Sequence, residues 1–89
     1  MDEYTMIDLL DCFQEAMANQ ASYVGVLIEI PNLPDNELII NTFNNLNEKV
    51  DYYMKNYNDD LTLKYARHIR IVDFAWGNTL DDVREVLNY

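Results

Sequence analysis

The sequence predicts a single α+β domain in which a small, mostly antiparallel, three-stranded sheet packs against helices. Some segments carry apolar residues at the helical period, whereas others are continuous β-branched and apolar runs typical of buried strands. The chain has 89 residues with only two glycines and two prolines, which indicates one domain with few connections. We therefore expect residues 1–89 to form one unit with the element order α-β-β-α-β-α and with the helices on one face of the sheet.

Residues 3–19 are predicted to form an amphipathic helix, because apolar residues recur there at three- and four-residue spacing. Carboxylates follow the same spacing on the opposite side, which gives the helix one apolar and one acidic face. The apolar residues are Met6, Ile7, Leu10, Phe13 and Met17. The acidic face consists of Asp8, Asp11 and Glu15.

A β-hairpin is predicted to follow this helix. Residues 22–30 are β-branched and apolar, as expected of a buried strand. Pro31 and Pro34 come next and interrupt the strand, since proline lacks the amide that continues a ladder. Residues 37–41 predict the second strand of the hairpin.

A helix, a strand and a final helix are predicted in the second half of the chain. Residues 42–57 have the helical period, and Asn41 or Thr42 can cap them because a short polar side chain accepts from the free amides of the first turn. Residues 68–76 predict the third strand, and Thr79 is expected to cap the last helix. The core stripe expected in the middle helix is Phe43, Leu46, Val50, Tyr53, Met54 and Tyr57.

The third strand is expected to alternate strictly between the two faces of the sheet. Successive side chains of a strand point to opposite sides. On this rule Ile69 and Ile71 lie on one face, and Phe74 and Trp76 lie on the other.

The charge distribution limits the partners that the protein can have. The chain has 16 acidic and 6 basic residues, for a formal net charge of -10, and nine of the acids precede Lys49, the first base. Such a surface repels nucleic acid and anionic lipid, because binding to phosphate requires lysine and arginine. We therefore expect no direct nucleic-acid or membrane contact and a basic protein surface as partner, although the acidity also suits a role in solubility alone.

Catalytic and metal-binding patterns are not found in the sequence. Cys12 lies among carboxylates that raise the pKa of a thiol, and His68 is the single histidine, so neither a nucleophile–base pair nor a zinc site is expected. We expect a protein that is not an enzyme and has no cofactor. One cysteine fits a reducing cytoplasm, and we expect neither a secretory signal nor a membrane span, which would need roughly 18 consecutive apolar residues.

The stretch 28–76 resembles a family of small proteins encoded by phages and integrative elements of Gram-positive bacteria. The segments that carry the resemblance are ELIIN at 37–41, NEK at 47–49, YY at 52–53, YNDDL at 57–61, LK at 63–64 and IRI at 69–71. The resemblance implies the context of a mobile element. Small acidic proteins of such elements resemble inhibitors of host defence, including anti-CRISPR and anti-restriction proteins, several of which mimic DNA.

Charge and resemblance together give the first functional hypothesis. The protein is expected to inhibit a host nucleic-acid-binding defence protein, foremost a Cas9-type CRISPR effector, by occupying a positively charged channel. Carboxylates at positions i, i+3 and i+7 of a helix are about 4.5 and 6 Å apart along the axis, similar in scale to the phosphates of a duplex strand. The expected partner-binding residues are Asp8, Asp11, Glu15, Glu29, Asp35 and Glu37.

Two other hypotheses remain open from the sequence. The protein can be a regulatory or assembly module of a mobile element that binds another protein, or itself, through apolar and tyrosine side chains. Salt distinguishes this possibility from mimicry, because salt screens contacts between exposed charges. The third hypothesis, a small hydrolase, requires a catalytic site, and no motif of the sequence indicates one.

Overall fold

The α+β class and the antiparallel hairpin are confirmed by a computed structural model, which describes residues 3–89. These residues form three helices and a four-stranded sheet, rather than the three strands expected. The helices are α1 Met6–Ala18, α2 Leu46–Asn56 and α3 Leu80–Leu87. The strands are β1 Tyr23–Glu29, β2 Glu37–Thr42, β3 Thr62–Leu63 and β4 Ala66–Gly77.

Sheet order is β2-β1-β4-β3, and all neighbouring strands are antiparallel. The predicted hairpin is the β1–β2 pair, which runs in register from Tyr23 opposite Thr42 to Ile28 opposite Glu37. The additional strand, β3, has two residues and pairs with the start of β4, and its Leu63 also forms an antiparallel bridge with Tyr57. A strand of that length has no measurable period, so the sequence could not indicate it.

Helices cover both faces of the sheet, so the expectation of a single covered face is wrong. Helices α1 and α2 pack on the face that contains Val24, Val26 and Ile28. Helix α3 packs on the other face, over Gly25 and Ala75. The alternation of β1 explains this arrangement, because both sets of its side chains are apolar or small and both must be covered.

The buried face of α1 is rotated from the stripe that the sequence predicts. The fully buried side chains are Met6, Leu9, Phe13 and Ala16. Leu10 and Met17 are partly buried against the same core, while Ile7 is 70% exposed. At 100° per residue, Ile7 lies about 160° around the helix from Leu9. A short contact stripe centred on Leu9 therefore leaves Ile7 in solvent, even though its spacing from other apolar residues is helical.

Helix α2 begins later than expected. Residues Phe43–Asn45 form a 3-10 turn, and the residue before the α-helix is Asn45 rather than Asn41 or Thr42. Phe43 and Met54, both expected in the core, are exposed. The predicted cap of α3 is confirmed, because the amide of Asp82 donates to the hydroxyl of Thr79 at 3.0 Å.

A β-bulge in β4 overturns the expected alternation of that strand. Leu27 pairs with Asp73 while Ile28 pairs with Ile71, so Val72 is an extra residue. Such an insertion reverses which face the following side chains occupy. As a result Ile69, Ile71, Phe74 and Trp76 all pack against the core beneath α1 and α2.

Gly25 permits the close approach of α3 to the sheet. A Cβ at this position would clash with Cγ1 of Val83 and would lie 3.3 Å from a methyl group of Leu87. Gly25→Ala is therefore expected to lower the free energy of unfolding by about 1–3 kcal/mol, because the stiff side chain of Val83 must shift. Urea denaturation measures this value.

Val83→Ala provides the matched test of that contact. In the double variant with Gly25→Ala, removal of the Val83 methyl groups should recover part of the loss, so the two effects should not add. Strictly additive effects would show that the Gly25–Val83 approach does not limit the docking of α3.

Alkaline pH is expected to destabilise the protein through Tyr53. Burial raises the pKa of Tyr53 to about 12 from 10.0, and this side chain is only 2% exposed. The folded state therefore holds the proton more tightly, so the stabilisation is complete below pH 10 and is lost as the pH rises toward 12. At about 1.4 kcal/mol per pKa unit, the loss is roughly 2–3 kcal/mol.

Tyr53→Phe is the control for this pH dependence. It keeps the ring and removes the titrating hydroxyl, so its denaturation midpoint should fall less than that of the unmodified protein between pH 10 and pH 12. Equal slopes for the two proteins would assign the alkaline loss to other groups, such as Cys12.

Candidate functional site

The six acidic residues expected at the site do not form one surface. Asp8, Asp11 and Glu15 line a single groove beside α1, as the helical spacing requires. The other three lie elsewhere around the sheet. These are Glu29 at the end of β1, Asp35 in the β1–β2 turn and Glu37 at the start of β2.

The groove beside α1 is shallow, has a volume of about 390 Å³ and runs along β4. We call it the acidic groove. Its α1 wall consists of Asp8, Asp11, Cys12 and Glu15, and its floor consists of Phe74, Ala75 and Trp76. Tyr4 and Val86 complete it, and Val86 belongs to α3 on the other side of the sheet.

Two of the three carboxylates are held by hydrogen bonds within the domain. The backbone amide of Thr5 donates to Oδ2 of Asp8 at 2.8 Å, in the capping box that begins α1. The indole Nε1 of Trp76 donates to Oε1 of Glu15 at 3.1 Å. Asp11 lies between them and is exposed. The row is therefore largely positioned before any partner arrives, which lowers the entropy lost on binding.

Aromatic side chains form the apolar part of the acidic groove. The rings of Tyr4 and Phe74 are 4.8 Å apart between centroids and are tilted by 52°. Trp76, the single tryptophan of the chain, is partly buried on the floor. No Lys, Arg or His among residues 3–89 lines the groove. Its surface therefore combines apolar contact area with uncompensated negative charge, which fits a cationic partner.

Cys12 is a poor nucleophile in this position. Burial, together with the smaller effect of the negative charges of Glu15 and Asp73, raises the pKa of its thiol from 9.0 to about 12. The direction expected from the sequence is confirmed, although burial contributes more than the carboxylates. Because the thiolate is the reactive form, this thiol is suited to packing rather than to covalent chemistry.

The three hairpin acids lie outside the acidic groove and have other surroundings. Glu29 forms an ion pair with Arg70 at 3.4 Å, and the same arginine contacts Glu3 at 3.2 Å. This pairing cancels part of the charge of Glu29. Asp35 lies near Asn88 and Tyr89 at the end of α3.

Glu37 lines a second groove, between α2 and the sheet, together with Lys49 and Tyr52. The lysine makes that groove electrostatically mixed. Of the six expected partner-binding acids, the ones that share a groove are Asp8, Asp11 and Glu15. Their proximity follows from their spacing on one helix.

Sequence reasoning missed the floor of the acidic groove. Phe74 and Trp76 were expected to alternate away from Ile69 and Ile71, and the bulge at Val72 brings them to the same side instead. One signal was available, since tryptophan is enriched at protein interfaces and the chain has a single tryptophan.

Fold and groove together define a small α+β domain with an acid-lined surface groove and an apolar floor. No protein-family model matches the chain, and neither a curated protein nor a solved structure matches it significantly. Among residues 3–89, no helix is long and apolar enough to span a membrane. The same residues contain no group of three or more His, Cys, Asp or Glu side chains placed to hold a metal ion.

Proposed function

We propose that this protein inhibits a host defence nuclease, foremost a CRISPR effector of the Cas9 type, by covering a surface that binds nucleic acid. The observation that carries the proposal is the row of Asp8, Asp11 and Glu15 on one wall of a groove that no base of residues 3–89 lines. In this role the carboxylates take the place of phosphates against arginine and lysine side chains. The protein is then a product of a phage or mobile element and acts in the bacterial cytoplasm.

Two further features support this role. The hydrogen bonds of Asp8 and Glu15 fix the carboxylate positions, so little side-chain freedom is lost in a complex. The net charge of -10 accelerates the encounter with a basic channel, because long-range attraction raises association rates. A basic channel is what an effector offers to its nucleic acid.

A neutralised variant tests the contact surface without changing the shape of the groove. The triple variant Asp8→Asn, Asp11→Asn and Glu15→Gln keeps an acceptor oxygen at each position. At roughly 0.5–1 kcal/mol for each of three exposed charge pairs, the variant should bind a guide-loaded Cas9-type effector about 10- to 150-fold more weakly. Calorimetry or surface plasmon resonance at low salt measures the difference.

The matched control removes the same charge elsewhere. Glu48→Gln, Asp51→Asn and Asp59→Asn neutralise three exposed acids that do not line the acidic groove. This variant should retain nearly full affinity. If both triple variants lose affinity equally, overall charge is responsible and the acidic groove is not the contact surface. If neither loses affinity, the mimicry proposal is wrong.

The alternative function, a self-associating interaction module, is favoured by the exposed apolar side chains. Val86 is 68% exposed at the rim of the acidic groove, and Tyr65 is 87% exposed in the turn between β3 and β4. Light scattering distinguishes the two functions. A dimer whose mass is unchanged between about 0.05 and 0.5 M salt would support the module, whereas mimicry requires partner binding that weakens steeply over this range.

A further inference from the structure

The outer edge of β4 is largely unpaired. β3 pairs with β4 only at Ala66 and Arg70, and the carbonyl of Leu61 accepts from the amide of Ile71. Beyond that point, no strand among residues 3–89 lies beside β4 on the side opposite to β1. Six residues, 72–77, therefore form a free edge of about 20 Å.

Backbone groups of this edge are directed away from β1. The amide of Phe74 donates to Oδ1 of Asp73, the preceding residue, at 2.9 Å. Phe74 pairs with Val26, whose backbone groups face β2. They face β2 because the amide of Phe43 donates to the carbonyl of Ser22 and the pattern alternates along β1. In an antiparallel ladder, alternate residues direct both backbone groups to the same side. Trp76 consequently presents its amide and carbonyl at the free edge as well.

The free edge lies within the acidic groove. Phe74, Ala75 and Trp76 line this groove together with residues of α1 and with Val86 of α3. Because α1 and α3 lie on opposite faces of the sheet, a groove that reaches both helices and β4 follows the edge between them. The other free edge, along β2, borders a groove that contains Lys49 and lacks the carboxylate row.

We propose that the acidic groove binds an extended, lysine- or arginine-rich segment of the partner protein as an additional strand on β4. The main chain of the segment pairs with the edge at Phe74 and Trp76, in the mode by which extended peptides extend sheets. Its side chains alternate between the two faces. One set meets Asp8, Asp11 and Glu15, and the other meets the apolar side chain of Val86.

Asp73 has a defined part in this mode of binding. In the free protein its carboxylate accepts a hydrogen bond from the amide of Phe74. Without this bond the amide would be free to pair with a strand of any other protein. A charged side chain at an edge also limits unwanted pairing between copies of a sheet. The incoming strand replaces this hydrogen bond, and the released carboxylate adds to the negative charge near the segment.

The experiment uses a capped heptapeptide of alternating lysine and valine, KVKVKVK, as the probe. The control is the same peptide with a methyl group on every backbone nitrogen, which has the same side chains and charge but no amide donors. Fluorescence of Trp76, the single tryptophan, reports binding. Hydrogen exchange followed by NMR reports protection of the Phe74 and Trp76 amides.

The unmethylated peptide is expected to change the Trp76 fluorescence and to slow exchange at Phe74 and Trp76. The methylated peptide should bind roughly 30-fold more weakly or not at all, because two or three main-chain hydrogen bonds are lost. Equal affinity of the two peptides, unchanged exchange at Phe74 and Trp76 in the complex, or no binding of KVKVKVK would each overturn strand addition.

This inference rests on the proposed function only in taking the partner to be basic, and the two fail separately. If neutralising the α1 acids abolishes effector binding but KVKVKVK shows no strand addition, the proposed function stands and the binding mode is wrong. If KVKVKVK adds to β4 while the neutralised triple variant still binds the effector fully, the binding mode stands and the proposed function is wrong.

Discussion

Replacing Tyr53 with alanine is expected to lower the free energy of unfolding by about 3–5 kcal/mol. This side chain is the largest of those that are almost fully buried, and it joins α2 to the rest of the core. Its ring centroid lies 5.7 Å from that of Phe13 in α1 and 5.6 Å from that of Tyr57. A third ring, that of Tyr52, lies 5.2 Å away. The substitution therefore removes three aromatic contacts and leaves a cavity between α1 and α2.

Tyr52→Ala is the matched control for this substitution. Tyr52 is the neighbouring residue of the same helix and is 44% exposed. Its removal should cost much less, since little buried area is lost. Urea denaturation followed by far-ultraviolet circular dichroism measures both variants. Equal losses at Tyr52 and Tyr53 would contradict the packing described for α2.

The second large effect is expected from Asn41→Asp. Asn41 is 2% exposed, and its Nδ2 donates to the carbonyl of Val24 at 3.1 Å. Its Oδ1 has no hydrogen-bond partner within the described residues. Aspartate has nearly the same shape but removes the donor to the Val24 carbonyl and places a carboxylate in the core. We expect a loss of about 2–4 kcal/mol at pH 7.

The pH dependence of this variant identifies the cause. Burial raises the pKa of a carboxyl group in the folded state, so the variant is most stable below the usual aspartate pKa and loses stability as the pH rises. The difference from the unmodified protein should therefore shrink at about pH 4. Asn41→Leu is the uncharged control and should cost less at pH 7. A loss independent of pH would show that the missing donor, and not the charge, dominates.

The candidate site has two parts, a carboxylate row that lies on one helix and an apolar floor that belongs to the sheet. The spacing of Asp8, Asp11 and Glu15 places them along one wall irrespective of how α1 is docked. Their neighbours Phe74 and Trp76 are more than fifty residues away in the chain and reach the groove only through the position of β4 and its bulge. The single tryptophan was therefore the one local signal for the apolar half of the site, and it did not indicate that Trp76 lies beside α1.

The hairpin acids show that closeness in the sequence does not ensure a common environment in the structure. Glu29, Asp35 and Glu37 are close in sequence, yet the structure pairs Glu29 with Arg70, 41 residues further along the chain. Whether a surface charge is free or compensated depends on which basic side chain folds against it. That information is absent from the spacing of the acids themselves.

The sequence by itself determined the features that repeat over a few residues. These are the α+β class, the amphipathic α1 with its carboxylate row, the β1–β2 hairpin across its proline-containing turn, and the cap at Thr79. Each follows from local backbone preferences and from a periodic pattern of apolar side chains. Both are readable within a few residues of one helix or one pair of adjacent strands.

Tertiary structure alone decided the short strand β3, the bulge at Val72, the placement of α3 against Gly25 and the free edge of β4 within the acidic groove. These features depend on contacts between segments distant in the chain, whose energies come from burying apolar surface and pairing backbone groups across the whole domain. A one-residue insertion in a strand reverses the faces of the residues that follow, and only the pairing with β1 reveals where that insertion lies.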